Sequence, residues 1–313
     1  MIGPIFSIIT AACFAMSSVV GRRGVLYATP LQGMYVTVIA GVPLFLIAAA
    51  VSGQMFRLSV FSGADWILLL ISGLTNMIIG RYCNYRATRA LGANGSTPLR
   101  SFAVLVAVVT AIVFLDEELT LARGFGVALL VLAPLLMLER RSTPTAVPSG
   151  GAGPETSKAG AAEPIFIRRQ AEGYFFGLAT AVGYGSSPLF MRMALEDSGM
   201  GVAGGLISYL AAAGVMLLLL ALPGQVANVR GMNRAAIPWF AAGTVSSFLA
   251  HMFRYVAISL APVTVVAPLV ETNAMFTVAY SYVLNRKTEI FNVKTLAAIG
   301  LSMVGATLLV AGL

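Results

Sequence analysis

Apolar residues dominate the chain in ten stretches, which polar residues, glycines and prolines separate. Each stretch is close to 20 residues long, the length that an α-helix needs to cross a hydrocarbon core roughly 30 Å thick. The pattern therefore predicts an all-α integral membrane protein with ten transmembrane helices. The predicted spans are 4–20, 31–51, 65–86, 95–115, 121–138, 173–190, 201–222, 236–258, 261–284 and 294–312.

A displacement of the sequence by 170 residues brings similar residues into register in two separate regions. One displacement that serves both regions predicts that the chain contains two copies of a five-helix unit. The matched pairs are Gly3 and Gly173, Phe6 and Phe176, Thr10 and Thr180, Ala11 and Ala181, Ser17 and Ser187, Arg22 and Arg192, Gly73 and Gly243, Tyr85 and Tyr255, Ala87 and Ala257, Pro98 and Pro268, and Leu99 and Leu269.

Residues 139–172 connect the two predicted repeats, which occupy 1–138 and 173–313. The connection is rich in Pro, Gly, Ser and Ala and has no periodic apolar face, so it predicts a flexible linker. Because each repeat has an odd number of helices, the second must enter the membrane in the opposite sense to the first. The expected architecture is an inverted repeat with a pseudo-twofold axis in the membrane plane.

The composition agrees with a membrane location: 58% of residues are hydrophobic, 10% are charged and the mean hydropathy is +0.88. The excess of Lys and Arg, 20 against 12 Asp and Glu, is expected to face cytoplasm and anionic lipid rather than nucleic acid. Basic residues concentrate in the loops on the side of the linker. The positive-inside rule therefore places the linker in the cytoplasm and both termini outside, in a multi-pass protein of a bacterial-type inner membrane.

Several kinds of chemistry are disfavoured by what the sequence contains. Cys13 and Cys83 lie in apolar stretches, so they predict neither a disulfide framework nor a metal site. There is one histidine, and the predicted helices contain no cluster of His, Asp and Glu, which argues against an enzyme. A Gly-x-x-x-x-Gly-Lys-Ser/Thr loop is absent as well. We expect neither a cofactor nor ATP-driven chemistry within the chain.

The duplicated five-helix unit resembles the EamA branch of the drug/metabolite transporter superfamily over nearly the whole chain outside the linker. The features that carry the resemblance are a Tyr-x-Ala at the end of helix three (Tyr85, Tyr255), a proline early in helix four (Pro98, Pro268), the acidic turn Asp116-Glu-Glu118, and small residues in helix five (Gly124, Gly126, Gly300, Gly305). The resemblance implies a secondary transporter of small organic metabolites, often amino acids, with a central cavity lined by both repeats.

Charged and polar residues inside the predicted spans support such a cavity, because a charge at membrane depth is tolerated where it faces protein or water. Arg81 and Tyr85 share one face of the third span, and His251 and Tyr255 share the same face of the eighth, with Arg254 beside them. The displacement by 170 places Arg81 on His251. The residues predicted to bind substrate are Arg81, Tyr85, Arg100, Arg254, Tyr255 and Asn273.

Simpler roles are open for some of these residues. The stems of Arg81 and Arg254 could lie in lipid while their guanidinium groups reach the interface. Tyr85 and Tyr255 could belong to an interfacial aromatic belt. His251 could be a packing residue instead of a proton relay.

Glu271 lies about 14 Å along an otherwise apolar span, near the middle of the membrane, and is a candidate functional residue for that reason. Arg100 lies roughly 8 Å below the opposite surface, so the two side chains are within reach of each other across a core of about 30 Å. We predict a midplane Arg100–Glu271 pair that substrate opens or exchanges. A permanent pair that only orders the bundle is the alternative.

Glu271 is also the predicted proton-coupling residue, with His251 as a possible relay and Thr272 and Asn273 as neighbouring hydrogen-bonding groups. Movement of Arg100 away from the carboxylate would change the proton affinity of the acid. Pro98, Pro262 and Pro268 are predicted hinges, because proline frees a backbone carbonyl and bends a helix. Ordinary membrane-helix prolines, whose freed carbonyls neighbouring groups satisfy, are the alternative.

Together these features predict a secondary transporter, an exporter or exchanger, of a small anionic or zwitterionic metabolite such as an amino acid or organic acid. It would work by alternating access, with possible proton coupling, as a monomer or homodimer in the bilayer. A proton-coupled exporter of cationic drugs of the small-multidrug-resistance type is the alternative, since Glu271 could bind a proton or a cation in competition. The three arginines favour the anionic substrate.

Overall fold

A computed structural model describes residues 2–100, 102–115, 121–135, 169–196 and 198–284, with six further positions between 297 and 308. Every regular element in these ranges is helical. The predicted linker lies outside the described residues as far as residue 168, and so does most of the predicted span 294–312.

The first repeat contains eight α-helices in its described residues, and the second contains six. The helices of the first repeat are α1 (Ile2–Tyr27), α2 (Pro30–Ile39), α3 (Gly41–Val51), α4 (Gly63–Gly73), α5 (Arg81–Leu91), α6 (Ala93–Arg100), α7 (Ala103–Leu115) and α8 (Leu121–Leu135), with a 3₁₀ helix at Gln54–Val60 and a π-helix at Leu74–Gly80 between α4 and α5. Those of the second are α9 (Gln170–Leu195), α10 (Gly201–Leu220), α11 (Gln225–Arg230), α12 (Ile237–Leu260), α13 (Val263–Glu271) and α14 (Asn273–Leu284), with a 3₁₀ helix at Arg234–Ala236.

Six helical spans of the described residues are long and apolar enough to cross a membrane. They are Ile2–Tyr27, Pro30–Val51, Gly63–Leu91, Gly201–Leu220, Arg234–Leu260 and Val263–Leu284. Large apolar side chains such as those of Val113 and Leu218 are more than half exposed on the outside of the bundle. That surface suits lipid, and the helical backbone satisfies its own polar groups there.

Local sequence fixes where two of these spans begin. The Thr29 hydroxyl accepts a hydrogen bond from the Gln32 amide at 3.3 Å, and the Gln32 side chain accepts one from the Thr29 amide at 2.8 Å. This capping box, followed by Pro30 in the first turn, starts α2. Ser62 and Asp65 form the same reciprocal arrangement at the start of α4.

The packing repeats itself under the displacement of 170 residues. Arg22 donates to the backbone oxygen of Thr88 at 3.4 Å, and its repeat equivalent Arg192 donates to that of Ile258, the equivalent of Thr88, at 2.9 Å. Helix α1 packs chiefly against α12, and α9 packs against α4, the π-helix and α5. The first helix of each repeat therefore lies on the third span of the other repeat, so the two repeats are interleaved.

The fourth and ninth spans are interrupted at equivalent positions. The backbone amide of Phe102 donates to the backbone oxygen of Leu99, and that of Thr272 donates to that of Leu269. Both hydrogen bonds span three residues, so each of the two spans contains a 3₁₀ turn between its two half-helices. Pro98 and Pro268 each lie four residues before the interruption, within α6 and α13. Pro262 instead precedes α13 as its N-cap residue. Two of the predicted hinge residues thus lie next to a local change in helix geometry.

Candidate functional site

A cavity with about 760 Å³ of empty space, its open mouth included, lies between residues of both repeats. We call it the inter-repeat cavity. It is lined by Phe14, Ser17, Ser18, Arg81, Asn84, Tyr85, Arg100, Ala103, Val104, Ala107, Tyr184, Pro188, Ser247, His251, Arg254, Ala267, Val270, Glu271 and Asn273.

Seven of the eight residues predicted for substrate binding or proton coupling line this cavity. Tyr255 does not: it is buried against Phe45 and His251, beside the cavity wall. The other seven are Arg81, Tyr85, Arg100, Arg254, Asn273, Glu271 and His251.

The simpler roles considered for the arginines and tyrosines do not agree with their burial. Arg81 is 4% exposed and Arg254 8%, so neither guanidinium group reaches the membrane interface along a lipid-facing path. Tyr85 and Tyr255 are 7% and 1% exposed, which places both inside the bundle and not in an interfacial belt.

The Arg81 guanidinium group lies among neutral partners. Its Nη2 donates to Ser247 Oγ at 2.6 Å and Tyr209 Oη at 3.1 Å, and lies 3.1 Å from His251 Nε2. Its Nη1 is buried and has no hydrogen-bond partner. Arg81 thus presents a buried positive charge with an unused donor in the wall of the cavity.

Two glycines allow the helices around Arg81 to approach closely. A Cβ atom on Gly80, the last residue of the π-helix, would lie 2.4 Å from the Tyr184 ring. A Cβ atom on Gly183 would lie 2.7 Å from the Gly80 amide nitrogen. Without side chains at these positions, α9 rests directly on the π-helix and Tyr184 reaches the cavity. Short π-helical segments are frequent at functional sites, and this one ends immediately before Arg81.

His251 accepts a hydrogen bond in this arrangement. A guanidinium group can only donate, so the Nε2 that faces Arg81 carries the lone pair and the ring proton is on Nδ1. The ring also packs edge-on against Phe14 and Tyr209. The geometry therefore supports a neutral imidazole next to the arginine in this conformation.

Arg100 joins three helices at the cavity. From the end of α6, its Nη1 donates to Ser18 Oγ on α1 at 2.8 Å and its Nη2 to Asn273 Oδ1 at the start of α14 at 2.5 Å. Asn273 is two residues after Glu271, so Arg100 and Glu271 line neighbouring parts of the wall. The Arg100–Glu271 ion pair itself stays a prediction.

Arg254 is the third cation of the cavity. It donates to the backbone oxygen of Tyr184 at 3.3 Å and interacts electrostatically with Glu271. Glu271 ends α13 and lies within the 3₁₀ turn of the ninth span. The acid therefore lies at an interrupted helix with a guanidinium group within electrostatic range.

Twelve of the nineteen residues that line the cavity form six pairs related by the displacement of 170 residues, but the charges are not shared within these pairs. Each arginine has an uncharged counterpart across the repeats. The pairs are Arg81 and His251, Asn84 and Arg254, Arg100 and Val270, Phe14 and Tyr184, Ser18 and Pro188, and Ala103 and Asn273.

Five polar wall residues were absent from the predicted site: Ser17, Ser18, Asn84, Tyr184 and Ser247. Applying the displacement to Arg254 would have indicated Asn84. Ser18 and Ser247 are single hydroxyls in apolar helices, and nothing in the sequence distinguishes them from other serines. Within the described ranges, no group of three or more His, Cys, Asp and Glu side chains could hold a metal ion.

Comparison with known proteins identifies the chain. The model of the EamA-like transporter family matches residues 1–139 and 171–311. A protein of Sinorhizobium sp. described as "Uncharacterized transporter in cobO 3'region" is 26% identical over 135 residues, which are 42% of this chain and 93% of that protein. A solved structure described only as "Crystal structure of protein" aligns with 97% of this chain and 94% of its own, with a TM-score of 0.64 and 17% identity, and shows a shared fold. The chain is therefore a multi-pass membrane protein that belongs to the EamA-like transporter family, within the drug/metabolite transporter superfamily.

Proposed function

We propose that the protein is a secondary transporter of a small organic metabolite that carries negative charge, either an anion or a zwitterion such as an amino acid. The observation that carries the proposal is the charge of the inter-repeat cavity, which contains three arginines and one glutamate. With His251 neutral, these side chains give the wall a net charge of +2, from three positive charges and one negative. A cavity of this sign attracts anions and excludes cations.

The interrupted helices support the same sign of substrate. Helix α7 begins at Ala103 and α14 at Asn273, and both residues line the cavity. The N-terminal end of a helix carries partial positive charge, and interrupted membrane helices use such ends to face anionic substrate groups.

For the mechanism we propose alternating access between two inverted five-helix repeats, ten spans in all, with the cavity at their interface. Pro98 and Pro268 would serve as hinges, because the 3₁₀ turns at Phe102 and Thr272 already depart from α-helical geometry, and Pro262 would serve as a hinge at the start of α13. Energy would come from a gradient or from exchange. Glu271 is the proposed proton site.

Export of cationic drugs is the second candidate function, because Glu271 lines the cavity and could exchange a proton for a cation. The three arginines oppose it. A cationic substrate would have to bind next to three guanidinium groups, of which the one carboxylate in the cavity wall can neutralise a single one.

The test is counterflow in proteoliposomes that contain the purified full-length protein. Liposomes loaded with an unlabelled mixture of amino acids and organic acids are expected to take up labelled members of the mixture, and protein-free liposomes are not. Uptake of lipophilic cations, with none of the anions or zwitterions, would overturn the proposal and favour the drug exporter.

A further inference from the structure

The guanidinium group of Arg81 is not neutralised by any group that it contacts. Its hydrogen-bond partners are two hydroxyls and an imidazole nitrogen, and no acid of the described residues contacts it. Arg81 is 4% exposed, so bulk water does little to solvate the charge. A buried cation with no counter-charge is costly, because neither water nor an acid offsets the lost solvation of the charge.

The donors of Arg81 are also unequally used. Three acceptors surround Nη2, whereas Nη1 is buried and has none. The side-chain oxygen of Asn84, on the same helix α5 and in the same cavity wall, is buried and unpaired as well, and it can accept a hydrogen bond from a donor group of a ligand. Unused polar atoms of this kind, in the wall of a ligand cavity, indicate that part of the ligand binds here.

The charge of the whole cavity gives the number of negative charges required. Glu271 can neutralise one of the three arginines, and whichever one it neutralises, two positive charges remain. Arg100, like Arg81, has neutral hydrogen-bond partners in Ser18 and Asn273. Arg81 on α5 and Arg100 on α6 each present a guanidinium group to the same cavity.

We infer that the transported substrate is an organic dianion, such as a dicarboxylate or a phosphate monoester, one of whose anionic groups binds at Nη1 of Arg81. This inference rests on the proposed function and narrows it from anions and zwitterions to molecules with two negative charges. The second anionic group binds toward Arg100. Amino acids with neutral side chains are then poor substrates, because they bring one negative charge together with a positive one.

The test compares ligands of equal size that differ by one charge: succinate with its monoamide succinamate, and glycerol phosphate with its methyl diester. Binding is measured by thermal stabilisation of the full-length protein in detergent, and transport by counterflow in proteoliposomes. We expect at least one dianion to bind about tenfold or more tightly than its monoanionic partner, because the partner leaves a buried charge unpaired.

Two variants test whether the preference for a dianion depends on Arg81. Arg81→Gln should bring the affinity ratio of dianion to monoanion close to one. Arg57→Gln, which removes an exposed arginine outside the cavity, should leave the ratio unchanged. The ratio in the unaltered protein tests the inference even if the Arg81 variant does not fold.

Three results would overturn it. Equal affinity for the dianion and the monoanion in both pairs would leave an anion transporter but exclude the dianion as its preferred substrate. Binding of the monoanion that depends on added chloride or phosphate, and loses that dependence in Arg81→Gln, would assign the Arg81 site to a free inorganic anion. Binding and transport restricted to cations would overturn the proposed function and this inference together.

Discussion

Arg81 and His251, which occupy equivalent positions 170 residues apart, contact each other with 3.1 Å between Nη2 and Nε2. Equivalent residues of two repeats can touch only near the axis that relates the repeats. The contact lies in the wall of the inter-repeat cavity, and under the predicted inverted-repeat arrangement this part of the wall is beside the pseudo-twofold axis. Arginines at both positions would repel each other there. The chain instead has a donor in one repeat and an acceptor in the other.

This geometry predicts that His251 works as an acceptor and not as a proton carrier. The side-chain oxygen introduced by His251→Gln can take the position of Nε2 and accept from Arg81. We expect this variant to retain transport within about threefold, since it keeps an acceptor for the hydrogen bond that Arg81 donates. Rates should be measured across pH in proteoliposomes. A pH profile that flattens in the variant would instead assign a proton-carrying role to His251.

The repeat register is the part of the structure that the sequence predicted best. Similarities spaced by 170 residues indicated two copies of one unit, and the paired contacts of Arg22 with Thr88 and of Arg192 with Ile258 follow the same register. At the matched pair Gly3 and Gly173 the packing requires a small residue in both repeats, since a Cβ atom would lie 2.7 Å from Ala261 Cβ and 2.2 Å from Leu91 Cγ, respectively. The number of spans, ten, stays a prediction, since six are long and apolar enough among the described residues.

The side-chain contacts within the site were less predictable. The rise per residue of a helix gave an expected membrane depth for Arg100 and Glu271, but it gave no direction for either side chain. In the structure, Arg100 donates to Ser18 and Asn273. Tyr255 was grouped with Tyr85 because the two are equivalent, yet only Tyr85 lines the cavity. Small departures from symmetry decide such cases, and they depend on packing between helices distant in sequence.

Asn273→Asp should weaken the binding of anions. The two side chains have nearly the same shape, so the new carboxylate would lie next to Arg100, where the amide oxygen now accepts at 2.5 Å. It would compete with the substrate for that guanidinium group. We expect the KM for an anionic substrate to rise about tenfold or more, as it should in Arg100→Gln. Initial rates of uptake over a range of substrate concentrations measure this.

The matched control for that pair is the double variant Arg100→Gln with Asn273→Asp. If the introduced carboxylate acts by neutralising Arg100, the effect of Asn273→Asp in the absence of the arginine should differ from its effect in the unaltered background. Fully additive changes in the free energy of binding would show that the two residues act independently.

Glu271→Gln is expected to uncouple transport from a proton gradient while substrate exchange continues. Glutamine keeps the size of the side chain but can neither bind nor release a proton. Uptake driven by ΔpH alone should fall to the level of protein-free liposomes, and counterflow should remain within a few-fold of the unaltered protein. Glu196→Gln, at a half-exposed acid paired with Arg192 outside the cavity, is the control and should leave both activities intact. Accumulation against the substrate gradient by the Glu271→Gln variant would rule out the assignment.

Gly73→Ala should destabilise the bundle, whereas the same change at its repeat equivalent Gly243 should not. A Cβ atom on Gly73 would lie 2.2 Å from the backbone oxygen of Ser208, which a rotamer change cannot relieve. On Gly243 the nearest atom would be a Val20 methyl group at 3.5 Å, an ordinary contact. Overpacking of this kind costs about 1–3 kcal/mol. A lower melting temperature in detergent for the first variant alone would agree with the packing, and equal melting temperatures would contradict it.

The two repeats differ at one face of the bundle, where α5 meets α9. Arg86 donates to one oxygen of Glu172 from Nε at 2.8 Å and from Nη2 at 2.5 Å, and its guanidinium group lies 4.4 Å from the centre of the Phe176 ring. The repeat equivalents of Arg86 and Glu172 are Val256 and Ile2, so no such pair can form at the equivalent place in the other repeat. The ion pair therefore stabilises the contact of α5 with α9, and the equivalent contact in the other repeat has no such pair.

Glu172→Gln is accordingly expected to let α5 and α9 separate more often. A partly exposed ion pair contributes up to about 1 kcal/mol, which is roughly a fivefold change in an equilibrium between open and closed forms. Cys83, which is buried on α5 one turn before Arg86, reports the change if Cys13 is first replaced by serine. Its rate of alkylation by a charged reagent should rise a few-fold in Glu172→Gln. In Arg169→Gln it should stay the same, because Arg169 contacts the other oxygen of Glu172 at 3.5 Å and is 73% exposed. Equal alkylation rates in all three proteins would mean that the ion pair does not control the opening of this face.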